Sequence, residues 1–369
     1  VSGGTKAVSQ THKQQMAIIF LGMFIAAGFL ISFLTDNISF SQGIEVAGIM
    51  DKMEVIDWNF DPGSRYNIWS GILGGFFLQL SYFGTDQSQV QRYLSGSSVK
   101  ESRLGLMFNG LLKIPMQFFI LFVGILLFLF YQFVMPPLHF NTENVENVKQ
   151  SEYAIEYEAL EEKQELIFDA KKELILQYKQ DPENADLKTA IQGYHAEEKV
   201  LMEDSKDLIL KANPDAPIKD DDYIFITFVT NFLPIGLIGL LLAVIFSAAM
   251  SSTSAELNAL ASTTTVDIYK RNIKKDGDEK HYLTRSKLFT FLFGVLAIIF
   301  AVLADLFDNL IEAVNILGSL FYGTILGVFL VAFFFKKVKG NAVFIAALIS
   351  QAIIICLLYT SPSPRDKRQ

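Results

Sequence analysis

Residues 236–265 read GLIGLLLAVIFSAAMSSTSAELNALASTTT, an apolar run that becomes rich in hydroxyl side chains without a Pro or Gly to end it. About 20 apolar residues span a bilayer as a helix. Backbone polar groups inside lipid must be satisfied within the segment, which helices do and open sheets do not. The pattern therefore predicts one membrane helix that continues through its hydroxyl-rich half towards the basic YKR at 269–271.

The rest of the 369-residue chain has the same character. It is 51% hydrophobic and 19% charged and contains 33 Phe, which is too apolar for an ordinary soluble domain. Seven apolar blocks are long enough, or nearly so, to cross a membrane. They lie near 16–34, 68–92, 104–134, 223–260, 286–305, 309–335 and 341–358. The sequence predicts an all-α, polytopic membrane protein.

Charge is distributed unevenly and predicts the orientation. Residues 141–222 hold 10 Lys and 22 Asp plus Glu, whereas the connections at 92–103, 269–287 and 336–340 are basic. Basic loops face the cytoplasm, so we expect the acidic insert outside. Helical spacing of apolar residues over 152–180 and 187–212, broken by DPEN (181–184), predicts an extramembrane helical hairpin.

These features divide the chain into four predicted parts. They are a transmembrane core (1–140), the acidic hairpin insert (141–222), a second transmembrane core (223–355) and a tail (356–369). The tail begins CLLYTSPSPRD and resembles a translated adapter from sequencing-library preparation, which predicts a non-native end. The single Cys, Cys356, lies in it, so neither a disulfide framework nor a cysteine metal site is expected.

Small and hydroxyl residues in the opening stretch allow two interpretations. Ala248, Ser251 and Ser252 have helical spacing and share one face, where a carbonyl and two hydroxyls offer the hard oxygen ligands that sodium prefers. Ser and Ala also let membrane helices approach closely and hydrogen-bond to one another. Composition alone favours helix packing.

Other polar residues interrupt the apolar blocks. Gln79 and Tyr82 follow Gly74-Gly75, as in a discontinuous helix that lines a cavity, or they belong to an ordinary helix end. Lys113 is costly inside a membrane unless it is paired, faces water or snorkels to the interface. Asn315 lies deep in the sixth block. No His/Asp/Glu cluster, nucleophile elbow or phosphate loop is present, which argues against an enzyme.

Four segments together resemble the sodium/solute symporter family, the group of sodium-coupled sugar, vitamin and monocarboxylate transporters. They are GGTKAV (3–8), YFGTDQSQVQRYLSG (82–96), LLLAVIFSAAMSSTSAELNALASTTTVDIYKR (240–271) and GSLFYGTILGVFLVAFFFKK (318–337). The resemblance implies part of the five-plus-five inverted-repeat fold of the leucine-transporter type. In that comparison helices resembling core five to seven lie in 1–140, and those resembling core eight to ten plus a partial helix lie in 223–355.

The resemblance also implies site residues. The carbonyl of Ala248 and the hydroxyls of Ser251 and Ser252 correspond to half of the family's sodium site, the other half coming from a first core helix that this chain lacks. The implied substrate residues are Gln79, Tyr82 (the inner aromatic gate), Lys113 and Asn315. His12 stands where some members have an Asp of a second sodium site, and Ala255 replaces a hydroxyl there, which implies one sodium per cycle.

The implied function is sodium-coupled secondary active symport of a small organic solute, by alternating access across a plasma or inner membrane. The expected partners are sodium, the solute and the lipid bilayer, with no nucleic acid and no cofactor other than the coupling ion. The solute is either a sugar or polyol or a small carboxylate. Two alternatives stay open: a symporter-like sensor module of a signalling protein, and a proton-coupled transporter.

Overall fold

A computed structural model describes residues 4–53, 58–60, 67–94, 98–303 and 310–360. These residues form thirteen α-helices and one π-helical segment and contain no strand. The helices are α1 (Gly4–Asn37), α2 (Phe40–Ile49), α3 (Ile68–Thr85), α4 (Gln87–Leu94), α5 (Val99–Phe130), α6 (Thr142–Lys149), α7 (Ala154–Tyr178), α8 (Ala185–Ala212), α9 (Asp221–Phe232), α10 (Ile235–Thr263), the π-helical Thr264–Ile273, α11 (Glu279–Leu303), α12 (Leu310–Phe334) and α13 (Gly340–Thr360).

Six of these segments are long and apolar enough to cross a membrane. They are His12–Asn37, Val99–Phe130, Ile235–Ile273, Glu279–Leu303, Leu317–Phe334 and Gly340–Thr360. Many large apolar side chains on them are exposed, for example Phe291 at 68% and Ile298 at 66%. An apolar surface of this extent is suited to contact with lipid rather than with water. The predicted all-α, polytopic class is confirmed at this level.

The second of the seven predicted blocks, 68–92, is not among the six. The structure divides it into α3 and α4, because Asp86 has an extended backbone with ψ of 119° and ends α3 after 18 residues. Asp86 then starts α4, since its Oδ1 accepts hydrogen bonds from the backbone N–H of Ser88 at 2.8 Å and from the Ser88 hydroxyl at 2.7 Å. A break of this kind is what the glycines and polar residues of the block suggested.

The chain forms two compact units, which are described separately. The first unit comprises Val1–His12, Ile56–Met107 and Met250–Gln369, and the second comprises Lys13–Val55 and Phe108–Ala249. Within the first unit, α12 contacts both α3 and α13: the buried Ser81 hydroxyl donates to the carbonyl of Tyr322 at 2.9 Å, and Gln351 Nε2 donates to the carbonyl of Leu320 at 3.1 Å. These bonds satisfy polar groups that lipid would leave unpaired.

The second unit has a continuous apolar core that joins membrane helices to the acidic insert. Its buried residues come from α1, α2, α5, α7, α8 and α9, and include Leu34, Val46, Phe130, Ile175 and Phe228. Helices α7 and α8 pack against each other, as the helical spacing over 152–180 and 187–212 predicts. A smaller cluster around Tyr157 and Leu201 lies between α6, α7 and α8.

Helix α2 is capped by hydrogen bonds at both ends. Ser39 and Gln42 form a capping box, in which each side chain bonds the backbone of the other residue. At the far end, Lys52 N–H bonds the carbonyl of Ala47 at 2.9 Å and Asp51 N–H bonds that of Gly48 at 3.1 Å. This is a Schellman arrangement, and it places Asp51 in the left-handed region with φ of 61°.

Candidate functional site

Helix α10 carries the candidate cation ligands. Pro234 directly precedes it, as expected for a residue that lacks an N–H and has a helical φ. The helix runs through the apolar segment and the first hydroxyls to Thr263, and a π-helical segment continues it to Ile273. The prediction that the hydroxyl-rich half continues the membrane helix is confirmed. We have no physical account of the ten-residue π-helical stretch.

Side chains of α1 bond the hydroxyl-rich part of α10. In the second unit, Gln15 Nε2 donates to the carbonyl of Ser247 at 2.9 Å and to its hydroxyl at 2.6 Å. In the first unit, His12 Nδ1 lies 3.2 Å from the hydroxyl oxygen of Ser251. Further along, a Cβ at Gly22 would lie 2.2 Å from Leu241 Cδ2, so this glycine permits a close approach. Helix packing, the interpretation of the small residues that composition favoured, is thus part of their role.

The three candidate sodium residues have different environments on α10. Ser251 is 7% exposed, Ala248 is half-buried and Ser252 is exposed. A serine hydroxyl has one proton and two lone pairs, so the contact with His12 leaves Ser251 at least one lone pair for a cation. Serines three and four positions after Ala248 can also approach its carbonyl oxygen. These oxygens can therefore form one wall of a cation site.

The candidate substrate residues occur on three helices. Gln79 is exposed and Tyr82 is half-buried on α3, where a spacing of three puts them on one face. Both belong to the first unit, whereas Lys113 lies on the exposed surface of α5 in the second unit. Asn315 lies in α12, but its side chain is outside the described residues. Within the first unit the structure thus brings Gln79 and Tyr82 together.

Two polar residues near these sites were missed by the sequence analysis. Gln15 Oε1 is buried and has no hydrogen-bond partner among the described residues, although Gln15 Nε2 bonds Ser247. Glu256 lies one turn after Ser252 and hydrogen-bonds Ser88, which is 1% exposed on α4. The signal was available for Glu256, because a carboxylate inside a long apolar span is costly and usually functional. The partner of Gln15 could not be inferred from local sequence.

The cluster around Glu256 joins four helices, α3, α4, α10 and α12, within the first unit. Asp86 and Arg92 are close enough to Glu256 to act on its charge, and Tyr82 and Tyr322 adjoin the same group. Arg92 and the carboxylates of Asp86 and Glu256 thus interact electrostatically near the point where α3 ends and α4 begins. Charged groups inside a membrane protein face protein or water rather than lipid.

Known proteins with related sequences were compared with the chain. Residues 207–350 match the model of the sodium:solute symporter family. This region includes the whole of α10 and its hydroxyls. Over this region the chain is similar to the sodium:solute symporter family. Together with its six membrane-crossing helices, this makes it a multi-pass membrane protein.

Relatives in the symporter family extend the match beyond that region. The chain is 23% identical over 363 residues to the sodium/glucose cotransporter of Vibrio parahaemolyticus, covering 96% of this chain and 54% of that protein. It is 31% identical over 131 residues to the human sodium/iodide cotransporter, covering 35% and 20%. It is 31% identical over 137 residues to the sodium/sialic acid symporter of Proteus mirabilis, covering 36% and 27%. The chain thus spans about half, or less, of the length of these relatives.

Proposed function

We propose that this protein couples the entry of sodium to the uptake of a small organic solute. The observation that carries the proposal is the buried Ser251 hydroxyl, placed with Ala248 and Ser252 on a membrane helix, where the three residues offer neutral oxygens. Relatives described as sodium cotransporters or symporters support the coupling ion. Catalysis and a bound cofactor have no part in the proposal.

Sodium binds at the wall formed by the Ala248 carbonyl and the Ser251 and Ser252 hydroxyls. A helical carbonyl accepts one backbone hydrogen bond and keeps a second lone pair, which is available to a cation. Hard oxygen ligands without net charge suit a monovalent ion that must bind and leave in each cycle. The remaining ligands come from other helices, which the family resemblance assigns to a first core helix.

Solute binds among Gln79, Tyr82, Lys113 and Asn315. Gln79 and Asn315 supply amide donors and acceptors, and Tyr82 closes the inner exit. Lys113 donates to a sugar hydroxyl or pairs with a carboxylate, so the solute class is a sugar or polyol or a small carboxylate. Sodium and solute each strengthen the binding of the other by the same factor, as linkage requires.

The architecture that fits this function is the inverted-repeat fold, in which one helix bundle rocks against the other around a central site. In this arrangement residues 1–140 and 223–355 form the transmembrane core of the protein, which lies in the plasma or inner membrane. The acidic insert 141–222 lies on the extracytoplasmic side, and the tail 356–369 is taken as non-native.

Uptake of radiolabelled sugars and small carboxylates by cells expressing the full-length protein tests the proposal. Uptake should collapse when choline replaces sodium, and Ser251→Ala with Ser252→Ala should abolish the sodium dependence. Uptake that is indifferent to sodium but driven by a pH gradient would show proton coupling instead. The absence of any uptake, together with a signalling domain encoded downstream, would favour the sensor alternative.

A further inference from the structure

A cavity of about 530 Å³ lies in the second unit, and no residue of α10 lines it. Its walls come from the end of α5, the chain after α2 and α5, the middle of α8 and the start of α9. The volume is in the range of sites for small molecules. Aromatic side chains make up much of the wall, including Phe128, Tyr131, Phe140 and Phe225.

Three residues of this wall carry buried polar atoms without a hydrogen-bond partner among the described residues. They are Tyr131 Oη, Gln132 Oε1 and His195 Nε2, and the three residues are 6%, 3% and 7% exposed. A buried polar atom left unpaired destabilises the folded state. Since native proteins contain few such atoms, three around one cavity indicate that something else pairs with them.

The donor and acceptor roles of these atoms follow from their neighbours. Gln132 Nε2 donates to the carbonyl of Phe128 at 3.0 Å, so Gln132 Oε1 is an acceptor that needs a donor. His195 Nδ1 lies 3.3 Å from Glu198 Oε2, which also accepts a short hydrogen bond from Lys171. Burial raises the pKa of Glu198, but these bonds outweigh it and the net pKa is lowered, so Glu198 is ionised.

An ionised Glu198 can only accept, and His195 Nδ1 therefore carries the proton. His195 Nε2 then accepts in the neutral ring and donates in the imidazolium. Tyr131 Oη can both donate and accept. A matching ligand must bring a donor for Gln132 Oε1 and groups that both donate and accept for His195 and Tyr131.

The charged side chains around the cavity limit which chemical groups the ligand can carry. Lys52 and Lys199 line the cavity with Glu198 and Asp221, and Lys171 lies behind Glu198. Three cations and two carboxylates disfavour an ammonium ligand. A carboxylate ligand has no donor for Gln132 Oε1 and would be repelled by that acceptor. Hydroxyl groups remain, and a molecule with several of them presents C–H faces that pack on aromatic rings.

We infer that this cavity binds a neutral polyhydroxylated ligand, with Tyr131, Gln132 and His195 as its hydrogen-bond partners. The ligand is either a free sugar or polyol or the sugar headgroup of a lipid, since α5 ends at the cavity. The site is separate from the proposed substrate residues and does not rest on their role.

Hydrogen–deuterium exchange of the purified protein in choline buffer tests the inference. The probes are myo-inositol, glucose and trehalose added to micelles, and vesicles that contain a glycosyl diacylglycerol. We expect saturable protection of segments 126–134 and 192–202. Protection by the free compounds identifies a soluble ligand, and protection by the vesicles alone identifies a lipid headgroup. Absence of protection by all of them, or protection by ethanolamine or succinate instead, would overturn the inference.

Two hydroxyl deletions provide a matched pair. Tyr131→Phe removes a partner atom in the cavity, whereas Tyr157→Phe removes another buried, unpartnered hydroxyl that lies outside it. Neither deletion breaks a hydrogen bond of the structure, so both variants should fold. Tyr131→Phe and Gln132→Leu should each weaken binding roughly five- to tenfold, and Tyr157→Phe should leave it unchanged. Equal affinity in all three variants would exclude this cavity as the site. Because sodium is absent throughout, either result leaves the symport proposal untouched.

Discussion

His12 Nδ1 lies 3.2 Å from the hydroxyl oxygen of Ser251, although the two residues are 239 positions apart. The contact fixes the direction of a hydroxyl that we propose as a sodium ligand. Its neighbour Ser252 is exposed, so two adjacent serines of one motif have different structural roles. Substitutions of Ser251 and Ser252 can therefore distinguish an effect on folding stability from an effect on sodium binding.

Replacing each serine alone should separate these two roles. Ser251→Ala removes the partner of the half-buried His12 and should lower the free energy of unfolding by about 1 kcal/mol. Ser252→Ala should change stability little, since the side chain is exposed. Both should raise the sodium concentration needed for half-maximal uptake. Thermal unfolding in choline, compared with uptake against sodium concentration, checks this. A loss of stability without a change in sodium dependence would reduce Ser251 to a packing residue.

Gln15 of α1, which hydrogen-bonds Ser247 of α10, offers a second test. Gln15→Leu removes the bonds to Ser247 and the free acceptor Oε1 and should weaken sodium-dependent uptake several-fold. Gln14→Leu is the matched control, because Gln14 is exposed on the same helix turn. Uptake measured at several sodium concentrations would show the effect. Equal behaviour of the two variants would contradict a role for Gln15 near the ion.

Helix α2 should become more stable when its left-handed C-terminal residue is replaced by glycine. Asp51 has φ of 61°, a conformation that costs a side-chain-bearing residue about 1 kcal/mol. Asp51→Gly should therefore stabilise the second unit by up to about 1 kcal/mol, seen as slower amide exchange in α2. Asp51→Ala keeps the strain while removing the carboxylate, so it should not stabilise. If both variants slow exchange equally, the carboxylate and not the backbone was the cause.

The buried ion pair between α7 and α8 predicts acid sensitivity of the hairpin. Lys171 is fully buried beside Glu198, and burial lowers the pKa of Lys171. The folded-state pKa of Glu198 lies below the ordinary 4.5. Its contribution to stability is therefore present above about pH 4.5 and is lost as the pH falls through the lowered value. Amide exchange of α7 and α8 should accelerate over that acidic range.

A double-mutant cycle provides the control for this pair. Lys171→Met alone leaves a buried carboxylate with His195 as its remaining partner and should cost about 3–5 kcal/mol. Lys171→Met combined with Glu198→Leu should cost much less than the sum of the single changes. The double variant should also lose the acid sensitivity. Additive effects, or an unchanged pH profile, would contradict the assignment.

The number and position of most membrane helices could be predicted from the sequence because they depend on local composition. The apolar blocks near 16–34, 104–134 and 286–305 each became one helix. The block 68–92 did not, because Asp86 bonds Ser88 and starts a new helix there. The glycines and polar residues of that block had indicated the break without fixing its position.

The pattern of apolar and hydroxyl residues by itself determined that α10 is one continuous membrane helix, since a helix satisfies its own backbone wherever it lies in lipid. Which of its serines is buried was decided only by the tertiary structure. Ser251 and Ser252 are equivalent in composition, and they differ because His12 comes from a distant part of the chain to contact one of them. The unpaired atoms of Tyr131, Gln132 and His195 likewise depend on how distant helices pack, and no local pattern records that packing.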